Sequence, residues 1–298
     1  MPPQAIKRTL IINADDFGYT AGVNSAIVRC FREGVLPSTT IMANGAAFEE
    51  AVALARENPV LGVGVHLTLT ELPPVSPPGD IPGLTDDEGR LLPSPADLVG
   101  ALASGRLKQE SIRKELERQV AKVVDCGIVP SHLDSHKHVF VLPPVLEVVL
   151  AIAAKYSIRW IRSPFDRCRM RDFLPCVDGG SGRVFLRQHL KSRALAAFRP
   201  YFLRRVRERG LRTPDVFYGV SLTGLWNEAA AAQMLKSLPP GISEWMVHPG
   251  DCDDALRKQK TRLIEQRRRE RDLLTAPSLK EGLAGNNIAL GRFGEETT

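Results

Sequence analysis

Cysteine is scarce in this chain and badly placed for cross-linking. The five cysteines, Cys30, Cys126, Cys168, Cys176 and Cys252, are odd in number and none forms a CxxC pair. That excludes a disulfide framework and a thiolate zinc site, and a reduced cytoplasm is the expected setting. Long hydrophobic runs are missing too. The longest, Val139 to Ala154, is broken by Pro143, Pro144 and Glu147, so it is too short to span a bilayer. Met1 to Lys7 has no apolar core of signal-peptide length. Aromatics make up 6% of residues, and no basic motif is interleaved with them, so no nucleic-acid partner is expected. The net charge of +6 comes from local Arg/Lys clusters and not from a tail. Internal repeats are absent. At 298 residues and 43% hydrophobic, the chain suits one large α/β domain, 1–298, with a sizeable core.

What is present is organised around Ile11-Ile12-Asn13-Ala14-Asp15-Asp16-Phe17-Gly18. An apolar strand runs into two adjacent carboxylates, then a turn, then a helical pattern from Ala21. This is the opening unit of an α/β protein, where ligand sites sit at the carboxyl ends of strands. Neighbouring residues on a strand point to opposite faces. A twist at the strand's end would let both acids reach one pocket. Paired carboxylates repel, so such a pocket should hold a cation or a shared proton.

The pattern continues as strand Ser38–Ala43, helix Ala46–Glu57 and strand Leu61–Leu67, spacing that implies parallel pairing through right-handed crossovers. Residues 70–95 are proline-rich and carry no regular element; a lid or rim over the site is expected there. A helix follows at Ser111–Asp125, then strand Ile128–Leu133, helix Pro144–Tyr156 and strand Ile158–Ile161, ending at Arg162-Ser163-Pro164. Residues 165–213 form a basic, helical insertion, with Leu186, Leu190, Ala194, Phe198 and Phe202 at four-residue spacing and Pro200 dividing it. Such a face could meet an anionic lipid surface or nucleic acid, though a solvated helical face is the commoner explanation. Strand Val216–Ser221, helix Asn227–Ser237, strand Ser243–Val247, a charged helix Leu256–Leu274, helix Ser278–Ala284 and strand Ile288–Leu290 complete the chain. About seven strands alternating with helices predict a barrel-like α/β fold, with an open doubly wound sheet as the alternative.

Five of the six histidines fall at predicted strand ends; His189 is the exception. His66 ends one strand and His248 another. His132, Asp134, His136 and His138 crowd a third. Such groups are costly to bury unless coordinated or hydrogen-bonded. Two imidazoles and a carboxylate form a common divalent-metal set with positions left for water and substrate. A second carboxylate can then act as base on the water, and a histidine opposite can protonate the leaving group. Together these make a hydrolase. A phosphoesterase usually needs a second metal and more carboxylates. A glycosidase needs two carboxylates astride the sugar bond, which adjacent Asp15 and Asp16 fit poorly. Asp16-Phe17-Gly18 also spells a kinase motif, but no glycine-rich loop precedes it. A sugar-binding protein that kept the pocket is the non-catalytic alternative.

Five ordered motifs carry a resemblance: Asn13–Gly18, Pro37-Ser38-Thr39-Thr40 with Asn44-Gly45, Gly64–Leu67, His132–His138 and His248-Pro249. Together they resemble the YdjC-like carbohydrate deacetylases, which include the chitooligosaccharide deacetylases. The resemblance implies a deformed TIM-like (β/α) barrel of the glycoside hydrolase/deacetylase type. It also implies a divalent metal, usually magnesium with zinc or another ion as alternatives, and removal of acetyl from an N-acetylated sugar. It would make Asp16, His66 and His136 the metal ligands, Asp15 the catalytic base, and His248 the general acid or an oxyanion partner. Asn13, His132, Asp134 and His138 would fall to the surrounding shell or to substrate contacts. Chitooligosaccharide members more often carry three histidines where this chain has His136-Lys137-His138. That form is similar to the hopanoid-biosynthesis branch, whose proposed substrate is an acetylglucosaminyl lipid. The substrate is therefore expected to be an acetylated oligosaccharide or a glycolipid; peripheral membrane contact and a homodimer stay open.

Overall fold

A computed structural model describes residues 7–295; of the stretch read for a leader, Met1 to Lys7, only Lys7 lies inside the described residues. Seven strands occur among the described residues: β1 Arg8–Phe17, β2 Ser38–Ile41, β3 Gly62–Leu67, β4 Leu133–Ser135, β5 Val216–Tyr218, β6 Gly241–Val247 and β7 Ile288–Gly291. All pair in parallel, in the order β4-β3-β2-β1-β6-β5, with β7 beside β1. The sheet curls. Isolated bridges Leu133↔Ile161, Trp160↔Arg212 and Asp166↔Phe217 run through residues 160–166 and join β4 to β5. The expected deformed barrel is thus present. Its deformation lies where a regular strand Ile158–Ile161 was expected and only single bridges form.

Alternation sorts the strand residues into two faces. On β1, Leu10, Ile12 and Ala14 join the main core, beneath the surrounding helices, with Trp245 and Val247 of β6. Ile11 faces the other way and packs with Trp160, Phe293 and Ile242 as an apolar plug inside the barrel. Above that plug the inward positions turn polar: Asn13 and Asp15 on β1, Glu244 on β6, Asp134 on β4 and Arg162 on the seam, all buried.

Strict alternation would turn Asp16 away from Asp15. Instead the β1–β2 register slips between Ala14 and Phe17, which pair with Thr39 and Ile41. One extra residue is accommodated as a bulge, and Asp16 takes a left-handed backbone, φ 72°. Aspartate is among the few non-glycine residues that tolerate this conformation. The tip beyond is pinned: Asn24 accepts the Gly18 N–H at 2.7 Å, and the Ala47 N–H donates to the Gly18 carbonyl at 2.9 Å.

Several predicted elements shift. The strand expected at Ile128–Leu133 begins only at Leu133, because Pro130 has no N–H to give a ladder. The charged helix expected over Leu256–Leu274 is two helices, Asp254–Arg257 and Glu265–Thr275, and the chain between them drops to the pocket rim. The proline-rich segment tucks Leu72, Ile81, Leu84, Leu91 and Leu92 into the core. It leads into a helix, Pro95–Ala103, that the sequence reading lacked, capped by Ser94. Within the basic insertion, helices run over Gly182–Leu195 and Arg199–Glu208, with Pro200 in the first turn of the second. Its expected apolar stripe divides between core and surface. Phe185, Gln188, Ser192, Phe202 and Val206 are buried, whereas Leu186 and Leu190 face out.

A Cβ added at Gly45 would sit 2.1 Å from the Gly18 carbonyl oxygen and 2.6 Å from its carbon. Both are backbone atoms of the acidic tip, so the clash cannot be relieved by a side chain. Gly45→Ala should therefore destabilise by about 1–3 kcal/mol in urea unfolding.

Candidate metal centre

Asp16, His66 and His136 converge at the mouth of the barrel. Asp16 Oδ1 lies 3.5 Å from His66 Nε2 and 3.6 Å from His136 Nδ1. It is buried and has no hydrogen-bond partner. Each imidazole is held by its other nitrogen. His66 Nδ1–H donates to Asp134 at 2.8 Å and His136 Nε2–H to Glu71 at 3.1 Å. Those bonds fix the tautomers and leave one nitrogen per ring aimed at the orphaned oxygen. An unpaired buried carboxylate oxygen is costly without a cation. The donor set of two imidazoles and one carboxylate suits a divalent metal, so the residues present fit such an ion. Asp15, His66 and Asp134 also approach one another. That second grouping already has its cation, because Arg162 sits between its two acids.

Arg162 is fully buried. It grips both Asp15 oxygens at 2.7 Å, reaches Asp134 at 2.6 Å and donates through Nε to Glu244 at 2.6 Å. Burial pushes the Asp15 carboxyl up, but Arg162, with His66 and His248, outweighs it and holds Asp15 well below the carboxylate range. Burial raises Glu244 to about 8, with Arg162 only partly opposing. Arg267 plays the matching part for Asp16, donating to Oδ2 at 2.5 Å. Asp15, Asp16 and Asp134 then face two arginines. Against the opposing effect of burial, the same acids raise His66 to about 9 and His136 above its ordinary value, so an added cation would take the place of imidazole protons.

The other residues singled out from sequence fall into place around this centre. Asn13 donates to Asp15 at 3.1 Å. His248 lines the pocket with Nε2 3.9 Å from Asp15 Oδ2; burial pushes its imidazole down to about 4. His138 also lines the pocket, and burial lowers it to about 3. Lys137 and His138 both have left-handed backbones, φ 55° and 58°, which turn the chain sharply after His136. His132 does not reach the pocket. It stacks on Phe293 with ring centroids 3.7 Å apart and bonds to Ser131 within the core. Arg162, Arg267, Glu71, Glu244 and Glu270 went unnoticed in the sequence. Only Arg162 carried a signal, as a polar residue directly after a predicted strand. Glu270 accepts the His248 and Gly224 N–H groups and is raised to about 7 by burial.

The centre forms the floor of a pocket of about 790 Å³. Glu71, Ser94 and Pro95 from the proline-rich segment form one rim, as expected for that segment. Arg187 and Lys191 of the insertion and Lys260 and Arg262 form the opposite rim.

The YdjC-like protein family model matches residues 9–285. The chain belongs to the YdjC-like family. It is 35% identical to a carbohydrate deacetylase of Brevibacillus brevis, over 96% of this chain and 98% of the relative. It is 33% identical to a chitooligosaccharide deacetylase of Enterobacter sp. strain 638, with 96% and 98% coverage. Among solved structures it superposes on an Enterococcus faecalis V583 protein provisionally described as a cellobiose-phosphate cleavage protein. That match has a TM-score of 0.74 and 27% identity, covering 96% of this chain and 98% of the other. The YdjC-like fold and the curled parallel sheet agree.

Asp16→Asn should abolish binding of one divalent ion in calorimetric titration with Mn2+ or Zn2+. Glu71→Gln, which frees His136, should weaken it by about 10–100-fold. Arg162→Leu leaves buried acids uncompensated and should cost about 3–5 kcal/mol of stability in chemical denaturation.

Proposed function

We propose that the protein is a metal-dependent hydrolase that removes the acetyl group from an N-acetylated sugar, an N-acetylglucosamine-containing oligosaccharide or glycolipid. The observation that carries this reading is the orphaned Asp16 oxygen between two tethered imidazoles, with Asp15 and His248 alongside. The names of the relatives, carbohydrate deacetylase and chitooligosaccharide deacetylase, support an acetyl group on a sugar as what is removed. Magnesium follows from the family resemblance; the imidazole-rich donor set also takes zinc or another first-row ion. A reducing, cytoplasmic setting fits five cysteines that are all free.

Asp16, His66 and His136 would hold the ion, which when bound supplies a Lewis acid for the acetyl carbonyl and acidifies water. Asp15 acts as the base. Arg162 and Asn13 fix its carboxylate, so it stays ionised and oriented. His248 stands 3.9 Å from Asp15 and enters neutral, because burial keeps its imidazole down at about 4. The proton taken by Asp15 therefore has an acceptor beside it, and His248 returns it to the departing amine. Arg267 keeps Asp16 ionised as a ligand. Glu270 fixes the His248 backbone.

Purified protein with added divalent ion should release acetate from N-acetylated chitooligosaccharides, and chelation should stop it. Asp15→Asn should abolish turnover while leaving metal binding nearly intact; loss of the metal in that variant would mean that the two acids exchange roles. His248→Ala should lower kcat by about 10²–10⁴-fold.

A further inference from the structure

The helix Gly182–Leu195 is turned inside out relative to its composition. At 3.6 residues per turn, Leu186 and Leu190 lie on the face opposite buried Phe185, Gln188 and Ser192. Leu186 is 45% exposed and Leu190 61%. One turn earlier Gly182 lies against Leu174, which is 41% exposed, and the apolar ridge continues there to Met170, 40% exposed. These four account for half of the large hydrophobic side chains exposed among the described residues. Scattered singly they would need no explanation; here they are contiguous.

The ridge lies in a strongly cationic segment of the chain. Residues 165–213 carry thirteen Arg and Lys against four Asp and Glu, while the whole chain is only +6. The rest is thus net acidic. On the same helix Arg183 and Arg193 flank the leucines and are exposed. Arg187 and Lys191, the next residues round, line the pocket. Apolar ridge, cationic flanks and pocket rim therefore share one helix.

We propose that this face docks on an anionic membrane surface, and that the pocket thereby meets the head group of a membrane-lodged acetylated glycolipid. The second clause rests on the deacetylase reading; the first does not. Leucines at the centre of a cationic face insert among acyl chains while arginines meet the head groups. A nucleic-acid backbone would pair with the arginines but leave the leucines in water. Among the described residues no helix is long and apolar enough to cross a membrane, so the contact is peripheral.

The test is sedimentation of the full-length protein with vesicles of phosphatidylcholine containing about one-third phosphatidylglycerol, against vesicles of phosphatidylcholine alone. The protein should pellet with the anionic vesicles only, and less as salt rises. The double variant Leu186→Ser/Leu190→Ser and the variant Arg183→Glu/Arg193→Glu should each weaken that partition by about tenfold or more. Neither pair lines the pocket, so acetate release from a soluble chitooligosaccharide should be unchanged, which also reports correct folding. Equal partition of wild type and both variants, or none at all, overturns the proposal. So does light scattering that finds a dimer dissociated by the leucine variant while vesicles are ignored, since the ridge would then join two copies. Vesicle binding without any acetate release would leave the docking standing and remove the deacetylase reading instead.

Discussion

The centre of this structure depends on one buried guanidinium. Arg162 touches Asp15, Asp134 and Glu244, which come from three different strands. Its charge lets those acids share the dry interior of a barrel, where an isolated charge costs several kcal/mol. Through Asp134 the same arginine reaches His66, so the orientation of a metal-binding imidazole is set two bonds away from the charge that makes it affordable. Planarity matters as well as charge. A lysine could neutralise one acid, but only a forked cation meets three at once. The same logic repeats more simply at Arg267 and Asp16.

The bulge in β1 complements this arrangement. A regular strand would give the pocket one acid and the outer layer the other. One extra residue and a left-handed aspartate bring both inward with divided labour. Asp15 is saturated by a permanent cation, and Asp16 keeps one oxygen open. Two carboxylates adjacent in sequence thus acquire different electrostatic surroundings, which is how one site holds a ligand and a base side by side.

Much of this was legible in the residues. The strand–acid–turn–helix opening, the histidines at strand ends and the parallel rhythm pointed to the barrel and to Asp15, Asp16, His66, His136 and His248. Those signals are local, since each lies within a few residues of a strand end. What stayed hidden depends on distance. Arg162 meets Asp15 across 147 positions and Arg267 meets Asp16 across 251, and in a chain rich in arginine neither stands out. His132 sits in the densest histidine cluster yet serves the apolar plug, because on a strand its neighbour two residues on takes the polar layer. The insertion was only partly legible for a related reason. Four-residue spacing identifies a stripe on a helix but not which part of it the protein covers: Phe202 is buried, whereas Leu186 and Leu190 face out.

The seam that closes the barrel also frames the insertion. Asp166 pairs with Phe217, and Trp160 pairs with Arg212, so the segment leaves and rejoins the fold at neighbouring points. Its inner residues Phe185, Phe202 and Val206 are held in the main core, while its outer face, Leu186 and Leu190 included, is exposed. The outer face can therefore change its charge and greasiness while the acids and imidazoles beneath keep their positions, since no residue within 167–211 supplies a proposed ligand or catalytic group. Divergence among relatives would then concentrate in this one stretch, with new tastes for substrate acquired at the rim of an unchanged hearth.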